Sequence, residues 1–227
     1  ACGNSQKSDR EEVTILYPNW AEGIALTYLS KVVLEEKGYD VDLINLEPGL
    51  IYGELSKENS KGDLFLDAWL PHTHKEYWAD YGDKLVKLGE AFSGGIHAAT
   101  LKAIEEYDLD YEQITSSGPA MVASLDKAVK RDEWIVITGW KPHFKWMNFD
   151  LKYLEDPKGV YPTDVCAIIS RRGFEEDMPE VAAFYRQFNL NEDYLYSLMA
   201  AIDEQGEEAG AATWYEANKE MIDAWFE

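Results

Sequence analysis

The chain has 227 residues, enough for one large domain or two small lobes, and 46% of them are hydrophobic, so a substantial core is available. Asp plus Glu number 43 against 21 Lys plus Arg, a formal net charge of -22, which leaves no clustered basic surface for nucleic acid and disfavours anionic lipid headgroups. No apolar run approaches the length of a membrane span.

Residues 1–12 are polar and carry Cys2, followed by Gly3-Asn4-Ser5-Gln6-Lys7-Ser8. A small residue before a cysteine at the head of a polar stretch resembles the processed end of a bacterial lipoprotein signal, with Cys2 as the acylated residue and the stretch as a tether. A stray cysteine in an unstructured terminus is the plainer explanation. Cys166, inside Val165-Cys166-Ala167-Ile168-Ile169, reads as a small core residue.

Val13–Tyr17 is a β-branched, apolar run that predicts a strand. Ile24, Tyr28, Leu29, Val32 and Val33 then recur at helical spacing as far as Gly38, a glycine stop, and Tyr39–Ile44 predicts the next strand. Strand, helix and strand in this order argue for a βαβ unit and a parallel sheet. Leu50–Leu55 is a short helix candidate. Asp63–Trp69 predicts a strand with Leu64, Leu66 and Ala68 on one face, and His74–Tyr81 predicts a helical turn.

Gly94-Gly95 restarts the pattern. Helices are expected over Ile96–Tyr107 and Met121–Lys130, strands over Trp134–Thr138 and Val165–Ser170, and acidic helices over Pro179–Phe188, Glu192–Glu204 and from Glu207 onward. The expected fold class is α/β with two lobes and a cleft between them, divided as 1–12 tether, 13–93 first lobe and 94–227 second lobe, the C-terminal helices packing back on the first.

The tryptophans are the most telling residues. A single Trp most often belongs to a core, and Trp134, Trp214 and Trp225 fit that reading, as do Trp78 and Trp146. Trp20, Trp69 and Trp140 differ, because each stands at the exit of a strand-like run, where ligand crevices of α/β sheets lie. Converging indole faces suit a cation that donates no hydrogen bonds, a quaternary ammonium, at about 2 kcal/mol for a desolvated contact.

Gly95 and Ile96 open a helix whose free N–H groups form a receptor for a carboxylate, although an ordinary glycine turn explains the same residues. His74, five residues after Trp69, is placed to donate a charge-assisted hydrogen bond to that carboxylate, or is simply a helix-start residue. His72 and His74 lack an acidic or cysteine partner at zinc spacing. Ser116-Ser117-Gly118 lacks the nucleophile-elbow pattern, and the chain has neither a P-loop nor a dinucleotide fingerprint, so neither catalysis nor a cofactor is expected.

At these residues the chain resembles the glycine betaine/proline betaine substrate-binding proteins of ABC importers. The resemblance runs from about Val13 onward and is carried by Asp67-Ala68-Trp69-Leu70-Pro71-His72-Thr73-His74, Thr115-Ser116-Ser117-Gly118-Pro119-Ala120-Met121, Thr138-Gly139-Trp140-Lys141-Pro142-His143 and Leu151-Lys152-Tyr153-Leu154-Glu155-Asp156-Pro157. It implies a two-lobed, type II periplasmic-binding-protein-like fold. It also implies an aromatic box at Trp20, Trp69 and Trp140, and a carboxylate held by His74 and the backbone N–H groups of Gly95 and Ile96.

On this resemblance the protein is not an enzyme but a monomeric extracytoplasmic receptor on the outer face of the cell membrane. It is anchored only through Cys2 and delivers a betaine to an importer permease. Receptors for carnitine, choline or dimethylsulfoniopropionate are the alternatives within the binding class, and a choline-ester hydrolase or a structural surface lipoprotein are those outside it. Choline, without a carboxylate, would leave His74, Gly95 and Ile96 without a partner.

One departure from the family pattern matters. Leu88–Phe92 and Gly95-Ile96 are joined by Ser93 and Gly94 alone, where the family carries a longer connection with strands near the hinge. A true deletion or an omitted segment both produce this. Omission is expected, because a lobe without its central strand leaves backbone groups unpaired. Bonded Cα atoms lie about 3.8 Å apart, so a wider gap at Gly94 would reveal it.

Overall fold

The computed structural model describes residues 11–93, 100–114, 116, 118–141, 143–161 and 164–226. Cys2, Gly95 and Ile96 fall outside the described residues, as does the spacing at Gly94.

Five strands form one sheet: β1 (Glu12–Tyr17), β2 (Asp40–Asn45), β3 (Leu64–Leu70), β4 (Leu85–Ser93) and β5 (Val165–Arg171), in the order β2-β1-β3-β5-β4. β1 runs parallel to β2 and β3, joined to β2 through helix α1 (Ala21–Glu36), as the βαβ reading requires. β5 runs antiparallel to both β3 and β4, so a strand from late in the chain completes the sheet between two early ones. Helices α2 (Pro48–Leu55) and α3 (Lys75–Tyr81) flank β3 in sequence.

β3 is buried along its whole length, which its apolar composition allows. Its pairing with β5 slips by one residue between Phe65 and Ala68, so that Leu66 and Asp67 together oppose Ile168. This bulge corrects the expected alternation. Leu64 and Leu66 share a cluster with Trp69, whereas Ala68 packs with Phe65 and Leu70 in the second cluster on the other face. One extra residue reverses every later side chain, and Trp69 reaches its side of the sheet only because of it.

Between β4 and β5 lie α4 (Thr100–Glu106), α5 (Gly118–Lys130) and the single turn α6 (Lys145–Asn148). The strand expected over Trp134–Thr138 is not formed: these residues have no regular structure. A β-branched run becomes a strand only against a neighbour that accepts its ladder, and among the described residues none lies beside it. Trp134, expected in a core, is fully exposed for the same reason.

After β5 come α7 (Phe174–Asp177), α8 (Pro179–Gln187), α9 (Glu192–Gln205) and α10 (Glu207–Asp223). α9 and α10 pack on each other and on α1, and α8 packs on β4. Their apolar faces contribute Phe184, Leu195, Leu198, Trp214 and Tyr215 to the larger core. Among the described residues no helix is long and apolar enough to cross a membrane.

Candidate functional site

Trp69 is the last residue but one of β3, and the turn after the strand closes back on it. The His74 N–H donates to the Trp69 carbonyl at 2.8 Å, and the Trp69 N–H donates to His74 Nδ1 at 3.0 Å. A backbone N–H only donates, so Nδ1 is the accepting nitrogen and Nε2 carries the proton. Burial pushes the imidazole down to about 4, against a smaller opposing pull from Asp164, so His74 is neutral at neutral pH. It therefore offers an uncharged N–H donor, and the charge that strengthens its bond to a carboxylate comes from the carboxylate.

The turn is clamped from the far end of the chain. Asp164, buried just before β5, accepts from the backbone N–H of His72 at 2.6 Å, from the N–H of Thr73 at 2.9 Å and from the Thr73 hydroxyl at 2.5 Å. Tyr52 of α2 places its hydroxyl 3.3 Å from His74 Nδ1. His72 is exposed while His74 is buried, so the two do not form a pair.

Trp20 stands immediately before α1, at its N-cap position, and packs on His74, ring centroids 5.8 Å apart. Trp69 is 4% exposed and meets Phe92 edge-on at 5.4 Å. Trp140 arrives from the irregular segment before α6. Its indole N–H donates to Glu22 Oε1 at 3.1 Å, and His143 stands edge-on to its ring at 4.7 Å. All three tryptophans belong to or pack against the same hydrophobic cluster. The links run Trp140 to Glu22, two residues along α1 to Trp20, then through His74 to Trp69.

Beneath these rings lie two acids. Glu22 and Asp67 are both almost wholly buried. Burial raises Glu22 to about 7, opposed by hydrogen bonds from its own backbone and from Trp140 and by the Lys145 charge. Burial, and then the Glu22 charge, hold Asp67 well above the usual carboxylate range. The Cys166 thiol donates to Asp67 Oδ1 at 3.2 Å, while Glu22 Oε2 and Asp67 Oδ2 take no hydrogen bond among the described residues. Gly23 makes the approach possible: a Cβ there would stand 2.7 Å from Asp67 Oδ2.

Sequence reasoning missed Glu22, Asp67, Asp164 and Lys145. A signal existed for Asp67, the one charged residue in an otherwise apolar β3. For Glu22, between Trp20 and Gly23 in sequence, a weaker one existed.

A surface hollow of 470 Å³ is lined by Lys37, Tyr39, Pro179, Glu180, Ala183 and Phe226, away from the tryptophans. At the site itself Lys145 covers the face of Trp140, its Nζ 3.4 Å from the ring centroid.

Comparison with known proteins bears on the chain as a whole. The family model for the substrate binding domain of ABC-type glycine betaine transport systems, OpuAC, matches residues 11–94 and 89–217. The two stretches overlap at residues 89–94, beside the connection singled out from the sequence. The glycine betaine/carnitine transport binding protein GbuC of Listeria monocytogenes serotype 1/2a (strain 10403S) is 35% identical over 136 residues, 58% of this chain. That match spans 45% of GbuC, less than half its length.

Among solved structures, lactococcal OpuAC in its closed-liganded conformation with glycine betaine aligns at TM-score 0.88 and 28% identity, over 96% of this chain and 100% of that one. The glycine betaine/L-proline-binding protein ProX of Borrelia burgdorferi aligns at TM-score 0.85 and 28% identity, over 95% of this chain and 96% of its own. A choline binding protein in complex with choline, 22% identical over 94% of this chain and 91% of that one, shares the fold at TM-score 0.82. The two-lobed α/β architecture expected from the sequence is the one these neighbours share. The family is one of transporter substrate-binding proteins and not of enzymes. The chain belongs to the family of substrate binding domains of ABC-type glycine betaine transport systems.

Proposed function

We propose that this protein is an extracytoplasmic receptor that binds glycine betaine, or the closely related proline betaine, and delivers it to an ABC importer permease. The observation that carries the reading is the contact of Trp20 with a neutral His74 whose Nδ1 is tied to the Trp69 backbone. An indole face and an N–H donor side by side suit a zwitterion with a quaternary ammonium at one end and a carboxylate at the other.

In this reading Trp20, Trp69 and Trp140 surround the ammonium. His74 Nε2–H, with the backbone N–H groups of Gly95 and Ile96, holds the carboxylate. Of the expected division into 13–93 and 94–227, β5 goes with the first lobe because it pairs with β3 and β4 there. The C-terminal helices rest on that lobe, the residues between β4 and β5 supply the second, and closure of the lobes over the ligand is what the permease reads. Glu22 accepts from the Trp140 indole N–H and so fixes the orientation of that face of the cage. The receptor works as a monomer and is held at the membrane by acylation of Cys2, which mass spectrometry of the native protein would detect.

Calorimetric titration with a ligand panel tests the assignment. Glycine betaine and proline betaine should bind with micromolar dissociation constants, equivalent to about 8 kcal/mol. Choline should bind at least about tenfold more weakly, because it gives His74 no acceptor. Choline binding as tightly as betaine, or betaine producing no heat, would remove the carboxylate half of the reading or all of it.

A further inference from the structure

Lys145 is fully buried in the single turn α6, and its ammonium takes no hydrogen bond among the described residues. A buried primary ammonium ordinarily satisfies its three N–H donors, since leaving them dry costs several kcal/mol. Here the compensation is of another kind. Nζ stands over the Trp140 ring, and that indole is turned by its N–H bond to Glu22 Oε1. The charged or titratable neighbours are Glu22 from α1, with Asp67 of β3 behind it, and His143 on the same segment, whose Nδ1 accepts from the Lys145 backbone N–H at 3.1 Å.

This is the contact a quaternary ammonium makes: a charge on an indole face, with no hydrogen bond. For a methylated headgroup the arrangement costs nothing further, since it has no N–H to satisfy. For lysine it strands three donors. The two occupants are therefore unequal, and the lysine gains by returning to water when the better one arrives.

Resting on the betaine reading above, we propose that Lys145 is a tethered stand-in for the ligand headgroup. It covers the Trp140 face, holds Trp140 and α6 against α1, and must withdraw before a quaternary ammonium takes that face. Lys145 thus sets the affinity of the receptor by competing from within the chain.

The test is calorimetric titration of glycine betaine into the full chain and into Lys145→Met and Lys145→Arg variants at one pH. The methionine variant, which fills the same length without a charge, should bind at least tenfold more tightly than the parent. The arginine variant, which keeps a cation able to lie on an indole, should bind no more tightly than the parent. Should the methionine variant fail to fold, Lys145→Gln carries the same expectation. Equal or weaker binding by the uncharged variant overturns the proposal while leaving the betaine reading intact. A gain in the arginine variant as large as that of the methionine variant does the same. Absence of betaine binding in every form, the parent included, overturns both.

Discussion

Glu22, Asp67 and Lys145 share one dry space, and their ionisation follows from it. Burial brings the Lys145 ammonium down to about 7, against the pull of Glu22, from an ordinary value of 10.5. Between those values the unfolded chain holds a proton that the folded protein does not, so this residue's contribution to stability rises as pH climbs from about 7 to about 10.5. Lys145→Met removes that penalty. The variant should be more stable than the parent at pH 7 by roughly 2–4 kcal/mol, and the gap should close towards pH 10. Urea unfolding at the two pH values measures it, and a gap that stays constant would contradict the buried-ammonium account. His74 supplies a second check at this scale. Nitrogen NMR at pH 6 should find its Nε2 protonated and Nδ1 bare, because burial lowers the imidazole to about 4. An imidazolium at that pH would mean that the Trp69 N–H does not use Nδ1 as its acceptor.

At the level of elements, local pattern decides what can be read in advance. β1, α1 and β2 follow from an apolar run, helical spacing and a glycine stop, and all three stand where the pattern puts them. β4 left no such trace. Its pairing with β5 shifts twice, between Lys87 and Gly89 and between Glu90 and Phe92, and each shift breaks the two-residue period by which strands are recognised. The bulge in β3 is illegible for the same reason, although it decides which face Trp69 occupies. Trp134–Thr138 is the opposite case: strand-like residues without a strand, because pairing depends on a neighbour and not on the run itself. The α9–α10 contact shows how tightly the C-terminal layer is built. A Cβ at Gly210 would stand 2.4 Å from the Ala201 carbonyl oxygen. Gly210→Ala should therefore destabilise the protein by about 1–3 kcal/mol, although alanine alone favours a helix by about 1 kcal/mol. Thermal unfolding reads the sign, and a stabilised variant would mean that the two helices separate at little cost.

Across the whole molecule, Trp20, Trp69 and His74 were legible as residues at or just beyond the ends of β1 and β3, and Trp140, which follows no strand, only through a motif that resembles a known family. The acids beneath them and Lys145 were not. Their significance comes from residues distant in sequence, such as Trp140 and Glu22, meeting in space. The net charge of -22 belongs to the surface, whereas the proposed site is buried and its ligand is a zwitterion of no net charge. Raising salt from about 0.05 to about 0.5 M should thus change betaine affinity less than about twofold, since buried contacts are poorly screened. An order-of-magnitude loss in calorimetry would place the ligand on the acidic surface instead. The most direct measurement is the betaine affinity of Trp69→Ala and Trp140→Ala beside the parent. Each should lose at least about tenfold, or about 1.4 kcal/mol, since each removes one indole face from the ammonium. Affinity unchanged in both variants would contradict the aromatic cage and the receptor built around it.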